Sequence, residues 1–385
     1  MIPYGRQSIS DEDVAAVEAV LRSDFLTQGP AVPAFEAAVA GHCGAAHAIA
    51  VNSATSALHI ACLALGVGPG DLVWTSPVTF VASANCALYC GAEVDFVDID
   101  PRTFNMSVDA LAAKLAKAEA SGRLPKVVIP VHLAGQSCDM AGIRALGDRY
   151  GFRIIEDASH AVGADYRDVP VGRCTYSDIA IFSFHPVKIV TTAEGGIALT
   201  NDSGLAGKMA LLRTHGITRD PAEMESESHG PWYYEQVDLG FNYRMTEMQA
   251  ALGSSQMSRL TEFVARRREI AAIYDDAFAN EPIAVQWQEP DTASSWHLYV
   301  IRLRGADMGR RAEAFAALRE AGLGVNLHYM PVYLQPYYRR LGFEPGLCPE
   351  AEAYYRESIS IPLYAGMSDA DVETVIAAVK AVARG

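Results

Sequence analysis

Between residues 47 and 184, short apolar runs recur with helix-length segments between them. The runs at 47–51, 71–75, 94–99, 126–132, 153–156 and 178–184 read as strands. Helices are expected from 52 through 65, over 80–89 and over 140–150. A strand that feeds a helix must return to start its neighbour, so this rhythm implies parallel pairing and a sheet covered on both faces. The expected class is therefore α/β, a mostly parallel mixed sheet covered by helices. Near residue 250 the rhythm changes. Residues 247–274 read as a long, broken helix, 296–304 and 324–329 as strands, and 310–321 and 369–383 as helices. Residues 1–250 are expected to form the large α/β domain and 251–385 a smaller α+β C-terminal domain. The polar stretch 219–235 reads as a mobile loop. At the other end, Ser10-Asp11-Glu12-Asp13 reads as a capped helix start, with Val14, Val17 and Leu21 on one face.

Composition narrows the function. The chain has 385 residues with 31 Lys+Arg against 46 Asp+Glu, a formal net charge of −15. No nucleic-acid partner is expected, since that would want a basic face. The seven cysteines are scattered and include no CxxC pair, which argues against a disulfide framework or a zinc site. No metal is expected. No leader pattern opens the chain and no apolar run reaches the ~18 residues of a membrane helix, so a cytoplasmic protein with no membrane partner is expected.

The segment FSFHPVKIVTTAEGG carries one lysine, Lys188, in the loop after the strand 178–184, and the run RIIED ends the neighbouring strand at Asp157. A lysine and a carboxylate on adjacent strand ends meet the needs of pyridoxal 5'-phosphate (PLP). The amine holds the aldehyde as an imine, and the carboxylate keeps the pyridine nitrogen protonated. Each residue alone has a plainer reading, a solvated charge for Lys188 and a turn cap for Asp157. His160 could lie beside the ring hydroxyl or bond a turn. Asn52-Ser53-Ala54-Thr55-Ser56 opens a helix after a strand, where free N–H groups suit a phosphate or merely cap the helix; Ser183 could add a hydroxyl. Phe80 could stack on the ring or be core. The stretch GFNYRM, with Asn242, could be a contact between subunits or a helix start. His328 and Tyr329, in VNLHYMP, bind substrate or shape a turn; both readings stay open.

Together these stretches resemble the DegT-type nucleotide-sugar aminotransferases, a branch of the fold-type I PLP transferases. The matching motifs are FLTQGP, VNSATSALHIACLALGVGPGD, SPVTFVASAN, IIEDASHAVGA, FSFHPVKIVTTAEGG, LGFNYRMTEMQAALG and VNLHYMPVY, in the family's order. The resemblance implies that Lys188 carries the cofactor, Asp157 pairs with the ring nitrogen, His160 lies near the ring oxygen and Phe80 stacks on the ring. It implies that Ala54, Thr55 and Ser183 hold the phosphate. It implies a homodimer with shared active sites, in which Asn242 reaches the neighbouring subunit's cofactor phosphate. Substrate choice would lie in loops that include Thr27, Gln28, His328 and Tyr329. Relatives with histidine at the lysine position dehydrate; Lys188 implies transamination. Ala193, where many relatives have glycine, resembles the branch working in pseudaminic acid synthesis. That branch moves an amino group from L-glutamate to C4 of a UDP-linked 4-keto-6-deoxy-N-acetylhexosamine. The alternatives are enzymes of the perosamine, viosamine or 4-amino-arabinose type, a non-catalytic nucleotide-sugar-binding or regulatory protein, and a desulfurase using Cys348.

Overall fold

The structure, a computed structural model, describes residues 1–384. Its centre is a seven-stranded sheet built from β2 (His47–Val51), β3 (Leu72–Thr75), β4 (Glu93–Phe96), β5 (Val127–Ile129), β6 (Arg153–Asp157), β9 (Ile179–Ser183) and β10 (Gly196–Thr200). The strand order is β2-β10-β9-β6-β5-β3-β4. Pairings from β9 through β4 are parallel, and β10 lies antiparallel to both β9 and β2. Alternate side chains of a strand face opposite ways, and the two cores follow that period. Ile179 and Ile181 join one hydrophobic cluster while Ala180 and Phe182 join the other; Ala198 opposes Ile197 and Leu199 in the same manner.

The connecting helices are α2 (Ala31–Cys43), α3 (Ala54–Ala64), α4 (Ala82–Tyr89), α5 (Val108–Ser121), α6 (Met140–Tyr150) and α7 (Ser203–Leu212). The small antiparallel sheet pairs β15 (Tyr299–Leu303) with β13 (Ile283–Val285) and β17 (Ser358–Ile361). Its apolar cluster draws on α9 (Leu260–Phe278), α10 (Met308–Glu320) and α13 (Asp369–Arg384). The chain's first strand, β1 (Ile2–Pro3), pairs in parallel with β16 (Leu323–Gly324). Short ribbons join β7 (Asp165–Tyr166), β8 (Val169–Pro170) and β14 (Thr292–Ala293), and β11 (Ile217–Thr218) with β12 (Glu235–Gln236). The helices α11 (Pro336–Arg340) and α12 (Pro349–Glu357) complete the chain.

The expected long helix is indeed broken, into α8 (Glu247–Met257) and α9. Other expectations need correction. The helix α1 (Asp11–Leu21) has its Ser10 capping box, but Val14 and Leu21 are each 56% exposed while Asp13 is buried. The helix docks by its polar side because the Asp13 carboxylate accepts from Ser255 Oγ at 2.6 Å and pairs with Gln256 and Arg259 of α8 and the following turn. A buried carboxylate with three donors is satisfied, so burying it in place of the valine costs little. The strand expected over 324–329 ends at Gly324, and only Asn326 keeps a bridge, to Ser360. Between β11 and β12, Glu225 and Ser226 donate their N–H groups to the Glu235 carboxylate at 2.6 and 3.0 Å.

Ala193 stands at φ 65°, in the left-handed region, with its side chain exposed. A Cβ there costs about 1–2 kcal/mol, and glycine removes that cost while gaining about 0.4–1 kcal/mol of unfolded-chain entropy. Ala193→Gly is expected to raise the unfolding free energy by about 0.5–1 kcal/mol in urea melts. A lower midpoint would mean that the methyl makes a contact worth more than the strain.

Candidate active site

The strands β2, β3, β6 and β9 all run the same way and end at one edge of the sheet, where ligands of open α/β sheets bind. A cavity of about 510 Å³ lies there. The loop after β9 brings Lys188 to it, β6 ends in it with Asp157, and β3 leads to Thr79 and Phe80 on its wall. From the segment after β16 come Asn326, His328 and Tyr329, joined by Tyr4 from beyond β1.

The helix α3 opens on the cavity with Ser53, Ala54 and Thr55. Ser53 Oγ accepts from Ser56 N–H at 3.1 Å, so the cap occupies that donor. The N–H groups of Ala54 and Thr55 lie in the first turn, where no intrahelical acceptor exists. With the helix dipole behind them they form a seat for an anion. The start of β10 presses against this turn: a Cβ on Gly196 would meet Ala54 N at 2.4 Å, so only glycine permits the approach.

Charge in the cavity is arranged around one amine. Lys188 is half-buried and its ammonium is pushed down to about 8, by lost hydration against an opposing pull from Asp157. At pH 7 roughly a tenth of it is free amine. Three histidines surround it, all buried and all held neutral. Burial and the Lys188 charge depress His160 well below the usual range and His328 to about 3. Burial, His160 and Lys188 do the same to His297, whose ring centroid lies 4.5 Å from that of His160. His160 Nδ1 accepts from Ala134 N–H at 3.3 Å, which assigns its proton to Nε2, 3.3 Å from the Tyr329 hydroxyl. Asp157 is buried, accepting from Ser83 Oγ at 2.6 Å and from Ser159 N–H at 3.2 Å.

Of the residues expected from the sequence, Lys188, Asp157, His160, Ala54, Thr55, Ser183, Phe80, His328 and Tyr329 line this one cavity. Phe80 is 59% exposed, a wall residue rather than core. Thr27 and Gln28 do not line it; both are exposed on the loop before α2. Asn242 also lies outside, exposed, its carbonyl accepting from Asn52 Nδ2 at 3.4 Å. Cys348 is buried at the start of α12 and does not line the cavity, so the desulfurase reading lacks its cysteine. Sequence reasoning missed Tyr4, Thr79, Ser83 and His297. Ser83 sits inside SPVTFVASAN, three residues past Phe80, and was legible as a polar residue on a helix that starts at the strand end. His297 had no such signal.

Residues 7–380 match the model of the DegT/DnrJ/EryC1/StrS aminotransferase family. The chain belongs to that family. It is 39% identical to the spore coat polysaccharide biosynthesis protein SpsC of Bacillus subtilis, over 100% of this chain and 97% of that protein. Among solved structures, it superposes on the PMP form of a putative sugar aminotransferase, Spr1654 of Streptococcus pneumoniae, with a TM-score of 0.91 at 31% identity, covering 100% of this chain and 99% of that one. Helicobacter pylori PseC, an aminotransferase involved in the biosynthesis of pseudoaminic acid, superposes with a TM-score of 0.91 at 30% identity, with the same coverage. The fold is thus that of the PLP-type sugar aminotransferases, and the cofactor of the family is pyridoxal phosphate. The cavity of this family member fits that group on its own evidence. It offers an anion seat on α3, a desolvated amine with a lowered pKa, and a buried carboxylate held by two donors.

Proposed function

We propose that this chain transfers the amino group of L-glutamate to C4 of a UDP-linked 4-keto-6-deoxy-N-acetylhexosamine, the reaction of the pseudaminic acid branch. The observation that carries the reading is the placement of Lys188 and Asp157 at the ends of adjacent parallel strands, facing one cavity with the open turn of α3. PLP, when bound, supplies a carbonyl that takes up an amine and a ring that accepts the electron pair left when a Cα proton departs. The chain's residues do the rest. Ala54, Thr55 and Ser183 hold the phosphate, and Phe80 covers one face of the ring. Asp157 keeps the ring nitrogen protonated. His160, neutral with its proton on Nε2, donates toward the ring oxygen. Lys188 Nζ would take the Cα proton of the amino donor and return it to the former aldehyde carbon, across the nitrogen from Cα. In the second half it runs the same transfer backwards on the sugar. His328 and Tyr329 face the sugar from the segment after β16.

Asn242 stands outside its own chain's cavity, which fits a role at the cofactor phosphate of a second copy. The exposed apolar side chains Val14, Leu21, Phe25 and Leu26 supply a surface for such a homodimer. The substrate is tested with the PLP-loaded protein, L-glutamate and a panel of UDP-, dTDP- and GDP-linked 4-keto sugars, read by mass spectrometry. The UDP-linked N-acetylated sugar is expected to be aminated fastest. Preference for a dTDP or GDP sugar would move the assignment to a viosamine or perosamine type, and no amination of any keto sugar would defeat it.

A further inference from the structure

Asp157 is held by more than its own strand. Its Oδ2 accepts from the Ser83 hydroxyl at 2.6 Å, and Ser83 Oγ lies 2.8 Å from Thr79 Oγ1. All three side chains are buried. Thr79 and Asp157 line the cavity, whereas Ser83, on α4, stands behind them.

Proton accounting gives this contact a direction. A serine hydroxyl carries one proton, and an ionised carboxylate can only accept. The hydroxyl's other acceptor, the Phe80 carbonyl, lies at 3.4 Å, so Ser83 gives its proton chiefly to Asp157 at 2.6 Å. The contact with Thr79 must then run from the Thr79 hydroxyl to the Ser83 oxygen. Three groups are ordered in one sense: Thr79 donates to Ser83, and Ser83 donates to Asp157. A hydroxyl that itself accepts a bond is polarised into a better donor, and a bond to a charged acceptor is stronger than a neutral one.

The geometry points to Ser83 and Thr79 as positioning residues for the amino transfer: a one-way hydroxyl relay that holds the Asp157 carboxylate as a hydrogen-bond acceptor fixed opposite the ring nitrogen. This rests on the reading of Asp157 as the partner of that nitrogen. Hydrogen bonds to a carboxylate favour its charged form and lower its basicity. Remove them and the carboxylate becomes the stronger base. It then draws the shared proton away from the ring, and the ring accepts electrons less well. A purely structural role, stapling α4 to β6, would leave the proton where it is.

The test uses the holoenzyme reconstituted with PLP carrying an isotopic label at the ring nitrogen, whose magnetic resonance shift reports protonation. Ser83→Ala removes the donor, Thr79→Val removes the second hydroxyl without changing shape, and Thr79→Ser keeps it. In Ser83→Ala and Thr79→Val the resonance is expected to move toward the unprotonated value. Their kcat should fall about tenfold and about threefold respectively, with KM for the sugar nearly constant, a tenfold loss corresponding to one unit of proton affinity. Thr79→Ser should match the parent in both. An unmoved resonance in both variants overturns the relay, and if Ser83→Ala does not fold, Thr79→Val decides alone. Asp157→Asn in the same experiment separates the two layers. If it leaves the resonance in place, the pairing of Asp157 with the ring nitrogen fails. If it moves the resonance while Ser83→Ala and Thr79→Val do not, only the relay fails.

Discussion

Lys188→Ala is expected to bind PLP without the absorption band of the lysine-linked cofactor and to lose amino transfer by roughly a thousandfold or more. The size follows from the two duties that converge on one nitrogen: covalent anchoring and a proton transfer that alone contributes about 10²–10⁴-fold. Lys188→Arg is the companion. It keeps a cation in the cavity yet cannot give up its proton near neutral pH, so it should be as inactive as the alanine variant. Lys188→Ala, which removes that cation, should stabilise the PLP-free protein. The amine's pKa is lowered to about 8 by burial, so below that pH the folded state carries a desolvated charge that the unfolded chain does not pay for. At pH 7 that penalty is fully present, and it disappears as pH rises past the unfolded value of about 10.4. Allowing for the partial exposure of the side chain, Lys188→Ala should gain about 1–3 kcal/mol at pH 7, measured by urea unfolding. Near-parental turnover would place the reactive amine elsewhere, and a loss of stability would show that the side chain's packing outweighs the penalty on its charge.

Acid is expected to unfold the PLP-free protein well before its carboxylates titrate. His160, His297 and His328 are buried and depressed, His328 to about 3, whereas an unfolded histidine titrates near 6.5. As pH falls from about 6.5 the unfolded chain takes up protons that the folded state refuses, and each histidine removes up to about 1.4 kcal/mol per pH unit. Over two units the three together reach at most about 8 kcal/mol, as large as the whole stability of an ordinary domain. His132, paired with Glu156 and raised to about 10, opposes this trend near pH 6.5, where its unfolded ring is still losing its proton, and adds almost no slope below about pH 5.5. Urea midpoints taken between about pH 7 and pH 4.5 should fall steeply, and His328→Gln, neutral at every pH, should remove about a third of the slope. A flat profile above pH 5 would show that the three rings are hydrated in the folded protein.

Local patterns were readable in advance, and distant convergence was not. Lys188, Asp157 and the Ser53–Thr55 turn each announce themselves by sitting at a strand end or a helix start, positions defined by their own neighbours. The alternating strands of the large sheet were readable for the same reason, since period-two burial is written along each strand. Tyr4 and His297 reach the cavity only because remote parts of the chain fold onto it. His297 follows Trp296, which stands at φ 51°, and both carbonyls are gripped by the buried Arg267. The strand read over 296–304 begins only at Tyr299, and the turn before it aims the histidine. The first helix misled because its apolar stripe obeys the usual rule, while the docking is decided by Asp13 and three donors more than 240 residues away.

One practical consequence comes from the pairing of Ile2–Pro3 with Leu323–Gly324. Tyr4 follows directly, its carbonyl accepting from Leu363 N–H at 3.1 Å and its ring 5.2 Å from that of His328. Trimming Ile2 and Pro3 would remove the pairing that seats Tyr4 on the cavity wall. An affinity handle for purification therefore belongs after α13, which supplies no residue to that cavity.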